Sequence, residues 1–238
     1  MAQPMRESIL AIEISQRAGS IALRPRADGG IFEMEVPVSD DANDHLMASI
    51  DELCREHDVA PADLAAIAVS CGPGAFTGLR VACATAKAIA DVTDCGLVAV
   101  PSALVVARTA VRAGRLGAEG SCTVALASKA GTAWCTHMRI VHGMPQVLSA
   151  GLCAESEAES IAFPLFGDAQ LPPGLVRAAV EHGGLQPANW SAAACLEVAE
   201  ALLGAGERTD PLHLAPLYPR PAEAVTLWET RHGLSPGS

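Results

Sequence analysis

The amino-acid sequence predicts an α/β protein with a duplicated βββαβα plan folded as two lobes. Three observations lead there. The chain opens with short strands joined by tight turns, one of them alternating apolar and acidic residues with period two. Runs with apolar residues at helical spacing then alternate with short apolar strands. A looser copy of this order returns after a glycine-rich joint at Gly114–Ser121, dividing the chain into lobes 1–115 and 116–238.

The elements follow in order. Ser8–Ser15 reads as a largely buried strand, and Ser20–Arg24 follows after the turn Gln16–Gly19. Ile31–Val36 has one wet face, so the three strands form an antiparallel meander. Asp40, Asp41 and Asn43 offer caps to a helix with apolar positions Leu46, Met47, Ile50, Leu53 and Cys54. Asp63–Ser70 leads into a strand ending in the loop Cys71–Gly78, and a second helix runs from Leu79 to Val92. Leu97–Val100 is a further strand, and Ser102 caps a third helix reaching Ala113. In the second half, Cys122–Ala127, Ala133–Ile140 and Gln146–Leu152 read as strands. Glu155–Ala162 reads as a helix, Phe163–Phe166 as a strand and Ser191–Leu203 as a long helix. The proline-rich tail beyond Pro211 is expected to wrap over the surface.

Composition narrows the function classes. With 16 Lys+Arg against 27 Asp+Glu, the net charge is −11, and Lys87 and Lys129 are the only lysines. Such a chain lacks the positive field that holds a phosphate backbone, so it is not expected to bind nucleic acid alone. The 45 alanines and only 8 aromatic residues predict a core of small and aliphatic side chains. No apolar run is long enough to span a bilayer. Met1–Ser8 carries Arg6 and Glu7 and no cleavable apolar stretch, which predicts a cytoplasmic chain. The eight cysteines are scattered without a Cys-x-x-Cys pair and read as free thiols acting as small hydrophobes.

The densest signal is Ala66–Ala90, within which Cys71-Gly-Pro-Gly-Ala-Phe-Thr-Gly78 is a glycine turn between strand and helix, followed by Leu79-Arg80. It has two readings. Gly74, Thr77, Gly78 and Arg80 are candidates for an anion site, because exposed N–H groups at a helix start attract negative charge. The other reading is a tight turn; the segment fits neither a Walker loop nor Gly-x-Gly-x-x-Gly. Arg80 either binds an anion between the lobes or pairs with an acid. In the following helix Val81, Thr85, Ala88, Ile89 and Val92 form an apolar face beside a strip of Ala82, Ala86 and Ala90, with Cys83 and Ala84 alongside. That strip either packs inside the domain or receives a helix from another subunit.

Ile9–Ser15, the meander, and above all Gly72–Arg80 followed by Ala84-Thr-Ala-Lys87 resemble the TsaB (YeaZ) family, whose members serve in threonylcarbamoyladenosine (t6A) modification of tRNA. The match covers about residues 8–110 and returns weakly at Phe166-Gly-Asp168 and Pro216-Leu-Tyr-Pro-Arg220. The resemblance implies an actin/Hsp70-like (ASKHA), ribonuclease H-like fold and a non-catalytic scaffold subunit. It implies a TsaD-like catalytic partner and a TsaE-like ATPase, bound through the helices Asn43–Cys54 and Leu79–Val92. Leu46, Met47, Ile50, Ala82, Cys83, Ala86 and Ala90 are then the expected partner-binding residues. Transfer RNA is reached only through the complex, no cofactor is assigned to this chain, and ATP and Mg²⁺ enter at the level of the complex. A homodimer through the same alanine strip is a compatible expectation.

The chain departs from the family pattern at Glu13-Ile14, where Asp-Thr is usual, at Ala75 and at Ala127. Loss of the first-strand and second-lobe acids weakens nucleotide–metal chemistry in its own cleft. A degenerate ASKHA-type kinase or acyl transferase is the alternative function. The histidine spacings (His137 and His142, His45 and His57) do not put two imidazoles on adjacent helical turns, and no metal site is expected. Cys71 reads as a buried small residue, and Glu155, Glu157 and Glu159 as a solvated helix start.

Overall fold

A computed structural model describes residues 7–26, 29–37, 45–128, 131–155, 157, 161, 164–182, 184–219 and 231. Strands β1 (Ser8–Glu13), β2 (Gly19–Arg24) and β3 (Phe32–Val36) form the expected antiparallel meander. β4 (Leu64–Gly72) and β5 (Gly96–Pro101) join it in parallel, giving the order β3-β2-β1-β4-β5. The second sheet contains β6 (Gly120–Ala127), β7 (Thr132–Val141), β8 (Met144–Ala154), β9 (Leu165–Gly167) and β10 (Leu185–Pro187). Its order is β10-β9-β6-β7-β8, with β6–β8 antiparallel and β9 and β10 parallel to β6. Both sheets therefore run third–second–first–fourth–fifth with the same strand directions. This is the duplicated ASKHA arrangement, and it is clearer in topology than in sequence.

Five helices fill the layers around the sheets: α1 (Leu46–Glu56), α2 (Phe76–Thr93), α3 (Ser102–Arg112), α4 (Pro173–Glu181) and α5 (Ala192–Gly204). Strand residues alternate between faces, and here the two faces differ in size. Leu10, Ile12, Ile21, Leu23, Ile67 and Val69 face outward and pack with Leu46, Ile50 and Leu53 of α1 and Ala82, Ala86 and Ala90 of α2. Ala11, Ala22 and Ala68 face inward and pack with α3 and α5. The same core continues into Val124, Leu126, Met138, Ile140 and Phe166 of the second sheet. Its far face, with Ala125, Cys135 and Leu165, is covered by Leu175 and Ala179 of α4. The layers are thus helices, sheet, helix pair, sheet and helix.

α5 is buried almost all round: Ala192, Ala193, Ala194, Cys195, Leu196, Val198 and Ala199 are all inside. Its polar ends are tied to distant elements. Ser191 Oγ accepts from Ala194 N at 3.3 Å and donates to Glu33 Oε2 at 3.0 Å. Glu33 Oε1 accepts from Ala193 N at 3.3 Å and Ser20 Oγ at 2.8 Å, while Ser20 Oγ accepts from Ala192 N at 2.9 Å. A strand carboxylate thus neutralises the positive end of a helix far along the chain. Further along, Arg24 Nη2 donates to Glu200 Oε2 at 2.9 Å and Arg108 Nε to Glu197 Oε2 at 2.7 Å; Arg112 also pairs with Glu197.

Several boundaries differ from the sequence reading. α2 starts at Phe76, so Thr77 and Gly78 lie in its first turn, and the N-cap is Ala75 without a side-chain cap. Ser102 is the first residue of α3 after the N-cap Pro101, and its hydroxyl meets Ser70 Oγ at 2.8 Å. α1 follows His45; Asp40, Asp41 and Asn43 lie outside the described residues, as does most of the helix expected at 155–162. Glu155 is tied to a helix start, its Oε1 accepting from Gly174 N in the first turn of α4 at 3.0 Å. Glu157 Oε2 accepts from Ala154 N at 2.8 Å. α4 and β10 are additional elements. The tail does return over the surface: Leu214 is buried in the outer core and Leu217 N donates to Cys71 O at 2.7 Å.

β1 ends in a buried acid. Glu13 is 1% exposed, with Oε1 accepting from Ser15 N at 2.8 Å and Oε2 lacking a hydrogen-bond partner among the described residues. Burial raises its carboxyl above the ordinary value of 4.5, partly offset by hydrogen bonds from Ser15 and Ser70. A raised folded-state pKa means that stability falls as pH rises past the unfolded value. Glu13→Gln should therefore raise the thermal midpoint at pH 8, by about 2–4 °C for each kcal/mol of charge burial removed. The gain should vanish as pH falls below 4.5, read by thermal unfolding across pH. Ala193→Leu should overpack the middle layer and cost about 1–3 kcal/mol, read as a lower urea midpoint at unchanged slope.

Candidate functional site

The glycine turn between β4 and α2 is built by close approach to the end of β1. A Cβ on Gly74 would lie 2.3 Å from Ser15 O, and one on Gly78 would lie 2.2 Å from Ile14 O. Ala75 N donates to Ser15 O at 2.7 Å. Gly72 adopts φ +110°, and a Cβ there would sit 2.8 Å from Leu217 O of the returning tail. These glycines bring α2 down onto β1 and admit the tail above the turn, which matches the tight-turn reading.

Among the described residues Arg80 has aromatic neighbours and no acid partner. Its guanidinium carbon lies 3.6 Å from the Phe76 ring centre, and Nε donates to Tyr218 Oη at 3.2 Å. The Phe76 and Tyr218 rings are 5.5 Å apart. The motif and the tail therefore meet in one cluster on the surface. Periodicity and spacing assign Tyr218 no role; the resemblance shared by Gly72–Arg80 and Pro216–Arg220 is the signal that links the two segments.

The structure reverses the two faces expected of α2. Ala82, Cys83, Ala86 and Ala90 are buried against the chain's own sheet, as are Leu46 and Ile50 of α1. The strip expected to receive another helix is filled by this chain's core, because its small side chains let α2 lie close to the bulky Ile12, Ile67 and Val69. Of the seven expected partner-binding residues, only Met47 is on the surface. The outward face of α2 carries Thr77, Arg80, Ala84, Ala88 and Asp91, with Val81, Thr85 and Ile89 half-buried beside them. Val92 is 84% exposed, Phe76 54% and Met47 50%. The exposed face of α2 thus has a small-residue centre at Ala84 and Ala88 with Phe76 and Val92 toward its ends, and Met47 is exposed on α1, which packs on the same core.

A separate cleft of about 860 Å³ lies beside β1, β2 and β3 at the start of α5. It is lined by Glu13, Ser20, Glu33, Glu35, Trp190 and Ser191 among others, so its walls carry carboxylates. In the second sheet Asp168 closes a turn: Oδ2 accepts from Ala127 N at 2.7 Å and Oδ1 from Gln170 N at 2.9 Å. The thiol of Cys71 is pushed up to about 12, mainly by burial and then by nearby Cys83, which keeps it protonated and poorly nucleophilic. Among the described residues no three His, Cys, Asp or Glu side chains form a metal cluster, and no helix is long and apolar enough to cross a membrane.

Comparison with known proteins points the same way. The family model described as "TsaD: tRNA N6-adenosine threonylcarbamoyltransferase" matches residues 29–133. The "tRNA threonylcarbamoyladenosine biosynthesis protein TsaB" of Bacillus subtilis (strain 168) is 36% identical over 95 residues, or 40% of this chain. That alignment spans 41% of the relative's length. A Pseudomonas aeruginosa protein described as similar to peptidase YEAZ shares the fold at TM-score 0.76 and 22% identity, over 90% of this chain and 100% of that one. YeaZ from Pseudomonas aeruginosa aligns at TM-score 0.74 and 24% identity, over 89% of this chain and 100% of that one. With the Gly72–Arg80 motif and the duplicated fold, these matches make the chain similar to TsaB (YeaZ) proteins, in sequence over part of its length and in fold over most of it.

Proposed function

We propose that this chain is an accessory subunit of the t6A tRNA-modification system and holds a TsaD-type catalytic subunit on the outward faces of α1 and α2. The observation that carries this reading is the surface of Met47, Phe76, Ala84, Ala88 and Val92. Its apolar side chains are exposed, and the glycine contacts to Ile14 and Ser15 seat the start of α2 from beneath. Small residues at its centre suit close approach by a partner helix, and Phe76, Arg80 and Tyr218 are residue types that anchor interfaces. Both helices fall within the matched residues 29–133.

The alternative enzyme reading is the weaker one. The cleft beside β1 is lined by Glu13, Glu33 and Glu35, whose charge opposes a nucleotide's phosphates. The chain's net charge of −11 likewise suits a subunit that leaves tRNA contact to its partners. A TsaE-type ATPase would join the same assembly, in the cytoplasm, and lobes 1–115 and 116–238 would act as one scaffold.

The test is affinity measurement between this chain and the TsaD-type subunit of the same organism. The wild type should form a complex, and Ala84→Arg or Ala88→Arg should weaken it by about tenfold or more. Because both alanines are exposed, the thermal midpoint of the free chain should not move. Absence of a wild-type complex, or unchanged affinity in both variants, would contradict the proposal.

A further inference from the structure

The cleft beside β1, β2 and β3 carries negative charge that the fold does not use. Strand register puts its acids on one face. Glu13 of β1 lies opposite Ser20 of β2, which lies opposite Glu35 of β3. The next row holds Ala11, Ala22 and Glu33. Side chains in these rows stand on the inward face of the sheet, which meets α5. Glu33 is committed there, accepting from Ser20, Ser191 and Ala193 at the start of α5.

Glu13 and Glu35 have no such role. Glu13 stands at the floor of the cleft, 1% exposed, and its Oε2 lacks a hydrogen-bond partner among the described residues. Glu35 is exposed at the rim and forms no ion pair among those residues. No basic side chain is among the described residues that line the cleft. A buried carboxylate is costly unless hydrogen bonds or a positive charge answer it. Burial has raised the Glu13 carboxyl accordingly, and a cation nearby would favour its ionised form.

We propose that this cleft binds a small organic polycation, a linear aliphatic oligoamine, between the carboxylates of Glu13 and Glu35 and beside Trp190. Spacing favours that chemistry over a single ion. At the backbone, two strand spacings separate Glu13 from Glu35 by roughly 10 Å, and Glu33 and Glu35 are roughly 7 Å apart along β3. Carboxylates spread in this way suit ammonium groups carried along one flexible chain. Among the described residues no three His, Cys, Asp or Glu side chains form a metal cluster. Trp190 adds an indole to the wall, the ring type that attracts cations most strongly. The volume of about 860 Å³ is that of a small-molecule pocket, and a net charge of −11 draws cations toward it. The site lies on the inward face of the first sheet, whereas α1 and α2 pack on the outward one, so it is independent of the partner surface.

Calorimetric titration of the full chain with spermidine tests this, at physiological ionic strength, where loose surface attraction is screened. One spermidine should bind per chain. Glu13→Gln and Glu35→Gln should each weaken binding by about fivefold or more, because each removes a charge close to the ligand. Both should keep the wild-type circular dichroism, since neither carboxylate holds a helix end. Glu207→Gln removes an exposed acid beyond the far end of α5 and should bind as the wild type does. Ala84→Arg should also bind spermidine normally, so failure here and failure at the α2 surface are distinguishable. The inference is overturned if spermidine does not bind, or if both cleft variants bind it unchanged. It is also overturned if Glu207→Gln weakens binding as much as they do, or if Mg²⁺ at equal concentration displaces the amine.

Discussion

The fold depends on the close approach of α5 to the first sheet. Ala11, Ala22 and Ala68 present methyl groups where their strand neighbours Leu10, Ile12, Ile21, Leu23, Ile67 and Val69 present bulky chains on the other face. The helix answers with Ala192, Ala193 and Ala194, so the middle layer can hold two helices and still contact both sheets. Burying a helix all round leaves only its ends and a few long side chains to carry polarity. Glu33, Ser20, Arg24, Arg108 and Arg112 meet those needs from elements far away in sequence. The alanine-rich composition is therefore a packing condition that joins the two sheets.

The same principle, small residues where backbones must meet, sets the position of the candidate partner surface. Gly74 and Gly78 contact the carbonyls of Ser15 and Ile14, and Ala82, Ala86 and Ala90 lie on the sheet. With that side committed, the remaining face of α2 is held outward with Phe76, Ala84, Ala88 and Val92 on it. The tail adds Tyr218 to Arg80 and Phe76, tying the far end of the chain to the motif that opens α2. Sequence, packing and surface chemistry are linked here by a few van der Waals contacts.

Much of the fold was legible in the sequence, and the failures have physical causes. The meander, β4, β5, α1 and α3 followed from periodicity because each buries one regular face. The orientation of α2 did not, because it carries two apolar stripes; bulk favours Val81, Ile89 and Val92, whereas seating on a sheet selects the alanines. β10 has three residues, too few for any period, and Leu171-Pro-Pro-Gly174 reads as a loop although Pro173 suits a first helical turn. Glu33 looked like one wet-face charge, since nothing local reveals a helix end arriving from residue 191 onward. The family motif was legible at once, but the alanine strip offered as a partner face lies against this chain's own sheet. Only Met47 of the seven expected residues reaches the surface.

The central claim is that the outward face of α1 and α2 meets the catalytic subunit while the alanine strip stays inside this chain. Hydroxyl-radical footprinting of the complex with a TsaD-type subunit addresses it directly, because Met47, Phe76 and Tyr218 are exposed and reactive side chains. The account predicts that all three lose reactivity on complex formation while Leu148 and Leu152 on β8 keep theirs. Unchanged reactivity at Met47 and Phe76 in a demonstrated complex would contradict it.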